Sequence, residues 1–137
     1  MIVRSEFTVA QWNQSDLEPA IAGMLISRAS VIFESTGEID GKFNVEYVIH
    51  SFAPDDADLH NSTATYVGYM VFTGSIDGKT GSFVLEDKGA YANSVPASDL
   101  VIKSNTGTND FQGIRGIGKY YADDGKMVIQ IDCSFSQ

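Results

Sequence analysis

Three Asp-Gly dipeptides, each set between extended apolar runs, restrict this chain more than any other feature: Asp40-Gly41 in "GEIDGK", Asp77-Gly78 in "GSIDGK" and Asp124-Gly125 in "ADDGK". A two-residue type I′ turn needs positive φ at both central residues, and Asp-Gly supplies it at little steric cost, so each dipeptide predicts a tight antiparallel hairpin. Three hairpins make six strands. Further strand runs are Val3 to Trp12 and Asp99 to Ser104, with another near Gly89 to Ser94. Helical periodicity is nearly absent; Asp16 to Leu25, "DLEPAIAGML", reads either as one helical turn or as a loop feeding the next strand. The polar stretch Ser51 to Ser62, with His60, reads as a solvated loop at the rim.

The expected fold is therefore all-β, one domain over residues 1–137. Consecutive hairpins must hide their outer edges, and closing about eight strands into an antiparallel up-and-down barrel does so most completely. A sandwich is the alternative, though it would use longer crossover connections than this sequence shows.

"GSIDGKT" also resembles a phosphate-binding loop, but Gly74 and Gly78 enclose three residues where that motif needs four, and strand-like segments flank it on both sides. None of the Asp-Gly sites has the alternating oxygen ligands of a calcium loop, so neither a metal nor a cofactor is expected. "GIRGIG", Gly113 to Gly118, reverses the glycine order of a dinucleotide fingerprint. With 9 basic against 18 acidic residues, the chain carries a formal charge of −9, which argues against a nucleic-acid partner. No apolar run approaches the roughly 20 residues of a spanning helix, so no membrane association is expected. The opening "MIVRSEFTVAQW" lacks the pattern of an export leader, and the lone Cys133 fits a reducing compartment. Cytoplasmic location is the expectation.

Two-residue turns fix register, and register assigns faces. Across Asp77-Gly78, the pairs Phe72/Phe83, Met70/Leu85, Gly68/Asp87 and Tyr66/Gly89 form the apolar, inward face. Treating Asp40-Gly41 as the same turn at the same end sends Ser35/Glu46, Phe33/Val48 and Val31/His50 inward. Reversed parity at the opposite end places Ala122/Met127, Tyr120/Ile129 and Gly118/Ile131 inside. A mostly apolar lumen then contains Glu46, His50, Asp87, Tyr66 and Tyr120. Small residues such as Gly68 and Ser35 leave room beside them for a small apolar ligand, whose expected contacts are Glu46, His50, Tyr66, Met70, Phe72, Asp87 and Tyr120. Glu46 and His50 are the candidates for proton transfer. On the outside, Val45, Tyr47, Ile49, Val67, Tyr69 and Val71 would form an apolar face suited to homo-oligomerisation.

Taken together, "SRASV" (Ser27 to Val31), "GEIDGKFNVEY" (Gly37 to Tyr47), "YVGY" (Tyr66 to Tyr69), "GKTGSFVLEDKG" (Gly78 to Gly89) and "FQGIRGIG" (Phe111 to Gly118) resemble a bacterial family of unknown function in the allene oxide cyclase-like barrel superfamily. The resemblance covers nearly the whole chain and implies a closed antiparallel barrel, commonly oligomeric. Related groups include plant allene oxide cyclases and dirigent proteins, but no residue-level motif of either is present. Three readings follow: a barrel binding a small apolar molecule, a cofactor-independent isomerase or cyclase using Glu46, or an oligomeric interaction module with a filled lumen.

Overall fold

The computed structural model describes residues 1–21, 24–52, 63–92 and 95–136. Eight strands follow one another: β1 (Ile2–Ile21), β2 (Met24–Ser35), β3 (Ile39–Phe52), β4 (Thr63–Ile76), β5 (Lys79–Ala92), β6 (Val95–Ile102), β7 (Ile114–Asp123) and β8 (Lys126–Phe135). Each is hydrogen-bonded antiparallel to its sequence neighbours, and β1 pairs with β8, so the sheet closes into a ring. A short 3-10 helix, Asn109–Phe111, interrupts the β6–β7 connection. Among the described residues no helix is long and apolar enough to cross a membrane.

Two of the Asp-Gly sites are the expected turns. Asp77 and Gly78 have φ of 52° and 76°, Asp124 and Gly125 of 52° and 78°. The pairings Ile76↔Lys79 to Tyr66↔Gly89, and Asp123↔Lys126 to Ile114↔Phe135, follow from them.

The third Asp-Gly is not a turn. The chain reverses over residues 36–38, where Gly37 takes φ of 104°, and Asp40-Gly41 lies within β3 opposite Gly74 and Ser75. The reversal is anchored on β1: Ile39 N–H donates to Ser5 Oγ at 2.8 Å, and Arg4 N–H to Glu38 Oε2 at 2.8 Å. Ser35 therefore pairs with Gly41 and Phe33 with Phe43, and this change of parity turns every side chain of β3 over. Ile39, Phe43, Val45, Tyr47 and Ile49 are buried, whereas Asn44, Glu46 and Val48 are exposed. Val45, Tyr47 and Ile49 thus leave the expected outer apolar face, of which Val67, Tyr69 and Val71 stand exposed.

The N-terminal strand is longer than its sequence suggests. β1 pairs with β8 only as far as Phe7, then continues beside β2 to Ile21, covering most of the segment read as helix or loop. A register shift between Val9 and Gln11 leaves Ala10 as an extra residue. Such a bulge changes which residues face inward, so Phe7 and Val9 before it, and Trp12 and Gln14 after it, reach the same cavity. The segment Gly89 to Ser94 is the end of β5 as far as Ala92, and β6 starts at Val95 rather than Asp99. The core of the loop read at Ser51 to Ser62, including His60, falls outside the described residues.

Inside, one end of the ring is filled. Phe43, Phe72, Phe83 and Phe111 are stacked with successive ring centroids 4.8, 5.3 and 5.1 Å apart. Phe111 arrives from the 3-10 helix, and Gly81 makes its approach feasible: a Cβ there would lie 2.3 Å from the Thr108 carbonyl and 3.1 Å from the Phe111 ring. The helix is tied to β5 by Thr108 N–H to the Ser82 carbonyl at 2.8 Å and Thr80 N–H to Asp110 Oδ2 at 3.0 Å.

Candidate functional site

Above the phenylalanine stack and the fully buried Met70 and Leu85 lie two polar layers, defined by cross-strand register. Tyr47, Gly68, Asp87 and Leu100 follow one another across β3, β4, β5 and β6 in the lower layer. Tyr66, Gly89, Ser98 and Tyr120 follow across β4, β5, β6 and β7 in the upper. In each layer a tyrosine spans a glycine to reach a polar group two strands away. At Gly89 a Cβ would stand 2.4 Å from Ser98 Oγ and 2.6 Å from the Tyr66 hydroxyl; at Gly68 it would meet the Tyr47 ring at 3.0 Å and the Glu46 carbonyl at 2.1 Å. The glycines are the gaps through which the phenols extend.

The result is one connected network. The Tyr47 hydroxyl donates to Asp87 Oδ2 at 2.6 Å and lies 2.9 Å from the Tyr120 hydroxyl. Tyr120 donates to the Tyr66 hydroxyl at 3.0 Å, and Tyr66 meets Ser98 Oγ at 2.7 Å and the Ala97 carbonyl at 3.3 Å. Asp87 is fully buried, and its second oxygen, Oδ1, has no hydrogen-bond partner among the described residues.

A carboxylate so placed is costly to ionise. Burial pushes Asp87 up to about 6, against the hydroxyls of Tyr47, Ser98 and Tyr120, which favour its charged form. Burial, reinforced by the neighbouring ionisable groups, holds the Tyr47 and Tyr120 phenols far above the ordinary tyrosine range, and burial also raises Tyr66. The phenols are neutral hydrogen-bonding groups at any ordinary pH.

Above the network is a cavity of about 380 Å³, at the end of the ring where β3 finishes and β4 and β6 begin. Tyr47, Tyr66 and Tyr120 form its polar floor, Gln14, Ser51 and Thr63 add polar groups to the lining, and Phe7, Phe33 and Trp12 are prominent in the apolar wall. Aromatic contacts hold that wall together: Phe7 and Phe33 are 4.8 Å apart between centroids, Phe7 and Tyr120 5.6 Å, and Tyr47 and Tyr66 5.0 Å. Val9 and Trp12, 51% and 48% exposed, connect the cavity with solvent.

The structure brings together three of the residues singled out from sequence, Tyr66, Asp87 and Tyr120. It removes Glu46, whose side chain points outward, is 62% exposed and accepts from Ser30 Oγ at 2.8 Å beside Arg28. His50 is half-buried and shares the outward parity of Glu46 on β3. Both corrections have one cause, the reversal at 36–38 in place of 40–41. Met70 and Phe72 face inward as expected, but they are packed beneath the polar layers and do not line the cavity. Sequence reasoning missed Tyr47, Ser98 and Trp12. The signal for Tyr47 was present in the alternation of Phe43, Val45, Tyr47 and Ile49 against Asn44, Glu46 and His50. The signal for Ser98 required the β5–β6 register.

The family model described as "Protein of unknown function (DUF3224)" matches residues 3–133. The chain is similar to the crystal structure of a protein of unknown function from the DUF3224 family of Shewanella oneidensis MR-1, with a TM-score of 0.84 and 19% sequence identity over 100% of this chain and 98% of that one. Among curated proteins none matches.

Proposed function

The chain belongs to the DUF3224 family, whose function is not established, and we propose that this member binds a small, mostly apolar molecule in the cavity above Tyr47, Tyr66 and Tyr120. The observation that carries this reading is the contrast within one lumen. A tube of eight strands is readily filled by side chains, and the phenylalanine end is filled, yet the other end keeps a cavity of about 380 Å³ walled by aromatic rings. That volume lies within the usual range of small-molecule sites, about 300–1,000 Å³. Aromatic walls supply most of the contact area and a few polar groups fix orientation.

The same geometry supports grouping the ring with the up-and-down barrels of the allene oxide cyclase-like, calycin-like kind: sequential antiparallel neighbours, closure of β1 on β8, and an interior built in layers.

Binding has a built-in reporter, because Trp12, the single tryptophan, is on the cavity wall. Titration with N-phenyl-1-naphthylamine, a neutral apolar dye, is expected to give saturable binding at one site with quenching of Trp12 emission. Replacing Ala64, also on the wall, by Phe is expected to abolish both without loss of cooperative unfolding. Unsaturable binding, or binding indifferent to Ala64→Phe in a folded protein, would contradict the proposal.

A further inference from the structure

The polar floor of the cavity has a proton count that does not close. Tyr47, Tyr66, Tyr120 and Ser98 bring one hydroxyl proton each. If Asp87 is ionised, the Tyr47 proton lies toward Asp87 Oδ2 and the Tyr120 proton toward Tyr66. Nothing is then left between the Tyr47 and Tyr120 oxygens, which are 2.9 Å apart and positioned for a hydrogen bond in either direction. Running the protons the opposite way, from Ser98 through Tyr66 and Tyr120 to Tyr47, would require Tyr66 to donate to Tyr120, against the geometry of that contact.

One additional proton completes the pattern. With it on Asp87, the carboxyl donates to Tyr47, Tyr47 to Tyr120, Tyr120 to Tyr66, and Tyr66 to Ser98 or the Ala97 carbonyl. Two further features agree. Asp87 Oδ1 is buried without a partner among the described residues, which is far less costly for a neutral acid than for a carboxylate. Asp87 is also the only acidic or basic side chain buried among the described residues, so no cation is packed there to neutralise a charge. The groups that act on it are Tyr47 from β3, Tyr66 from β4, Ser98 from β6 and Tyr120 from β7.

We infer that Asp87 houses this proton, and that the cavity accordingly selects apolar molecules bearing an acceptor oxygen, a ketone or related carbonyl, onto which the chain of hydroxyls donates. This rests on the ligand-binding reading of the cavity. A carboxylic acid kept neutral by apolar surroundings is a hydrogen-bond donor, and each hydroxyl in series polarises the next. The series ends at Tyr66, on the cavity wall, whose proton has, among the described residues, only Ser98 Oγ, itself a donor, and a carbonyl at 3.3 Å as alternatives. It is the proton most readily redirected to a ligand oxygen.

The test compares two compounds of similar shape, 2-acetylnaphthalene and 2-isopropylnaphthalene, by displacement of the naphthylamine dye at pH 5 and pH 8. These values bracket the Asp87 ionisation, which lies at about 6. At pH 5 the ketone is expected to bind about tenfold more tightly than the hydrocarbon, the worth of one net hydrogen bond. By pH 8 the series is interrupted between Tyr47 and Tyr120 and Tyr66 donates without its support, so this preference should weaken. Asp87→Asn, whose amide donates at both pH values, should keep the preference at both. Tyr47→Phe, read as the ratio of ketone to hydrocarbon affinity, should lower the preference at pH 5 and remove its dependence on pH, and this arm stands even if Asp87→Asn fails to fold. Equal affinities at pH 5, or a wild-type preference that is the same at both pH values, overturn the inference and leave the cavity reading intact. Displacement by neither compound overturns both.

Discussion

The two ends of this ring are built from similar material and reach opposite outcomes. One end packs Phe43, Phe72, Phe83 and Phe111 ring on ring, tilted or edge-on, each fully buried. The other sets Phe7, Phe33, Tyr47, Tyr66 and Tyr120 around a cavity. The difference lies in what enters the interior and in where the polar atoms are. The filled end receives a plug, the 3-10 helix carrying Phe111, and its rings have no hydroxyls to satisfy. At the hollow end three phenols turn toward one another and toward Asp87, so their rings are held along the walls by hydrogen bonds and are not free to collapse into the centre. Aromatic content alone does not decide whether a ring of strands is filled; the direction in which the polar atoms draw the aromatics does.

This contrast is most sharply tested by removing one ring from each end. Phe72→Ala leaves a void among fully packed neighbours and is expected to cost about 3–5 kcal/mol in urea unfolding. Phe33→Ala removes a ring that already borders the cavity and should cost distinctly less. Equal losses would mean that the hollow end is as tightly packed as the filled one.

A smaller effect comes from pH. Folded Asp87 keeps its proton up to about pH 6, against 3.8 ordinarily. Between these values the folded state binds more protons than the unfolded, so stability attributable to Asp87 falls as pH rises. Below that window the contribution is fully present, and above it about 3 kcal/mol has been lost. In Asp87→Asn this decline is absent, so from pH 4 to pH 7 the stability difference should move by up to that amount in the variant's favour. A difference independent of pH would show that the carboxyl ionises as freely in the fold as in the unfolded chain.

The smallest expected effect is at Glu46. Its contacts with Ser30 and Arg28 are on the solvent side, the Arg28 nitrogen being 4.0 Å away, and exposed pairs of this kind contribute little. Glu46→Gln should leave dye binding unchanged and the unfolding midpoint nearly so. A marked loss of binding would return Glu46 to the site from which the register of β3 removes it.

Much of the fold was legible because its turns are local. Asp77-Gly78 and Asp124-Gly125 prescribe positive φ at successive residues, and from each the pairing of two strands follows by counting. From the first came Gly68 opposite Asp87 and Tyr66 opposite Gly89, the frame of the polar layers. Asp40-Gly41 carries the same two letters with another meaning, because a competing reversal four residues earlier is held by Ser5 and Arg4 of β1, more than thirty residues away in sequence. Local turn chemistry yielded there to the burial of Ile39 and the four alternate apolar residues that run from Phe43 to Ile49. The path of β1 was less legible still, since its bulge at Ala10 and its change of partner at Phe7 depend on ring closure, which no single segment encodes.

Gly68 and Gly89 have a consequence for how this fold can diverge. Neither contributes an atom of chemistry, yet each occupies a passage one methyl group would block, severing a tyrosine from its partner while every polar residue stayed in place. Sorting related sequences by the presence of glycine at these two positions would therefore separate those able to build the phenol–carboxyl chain from those that merely retain its parts.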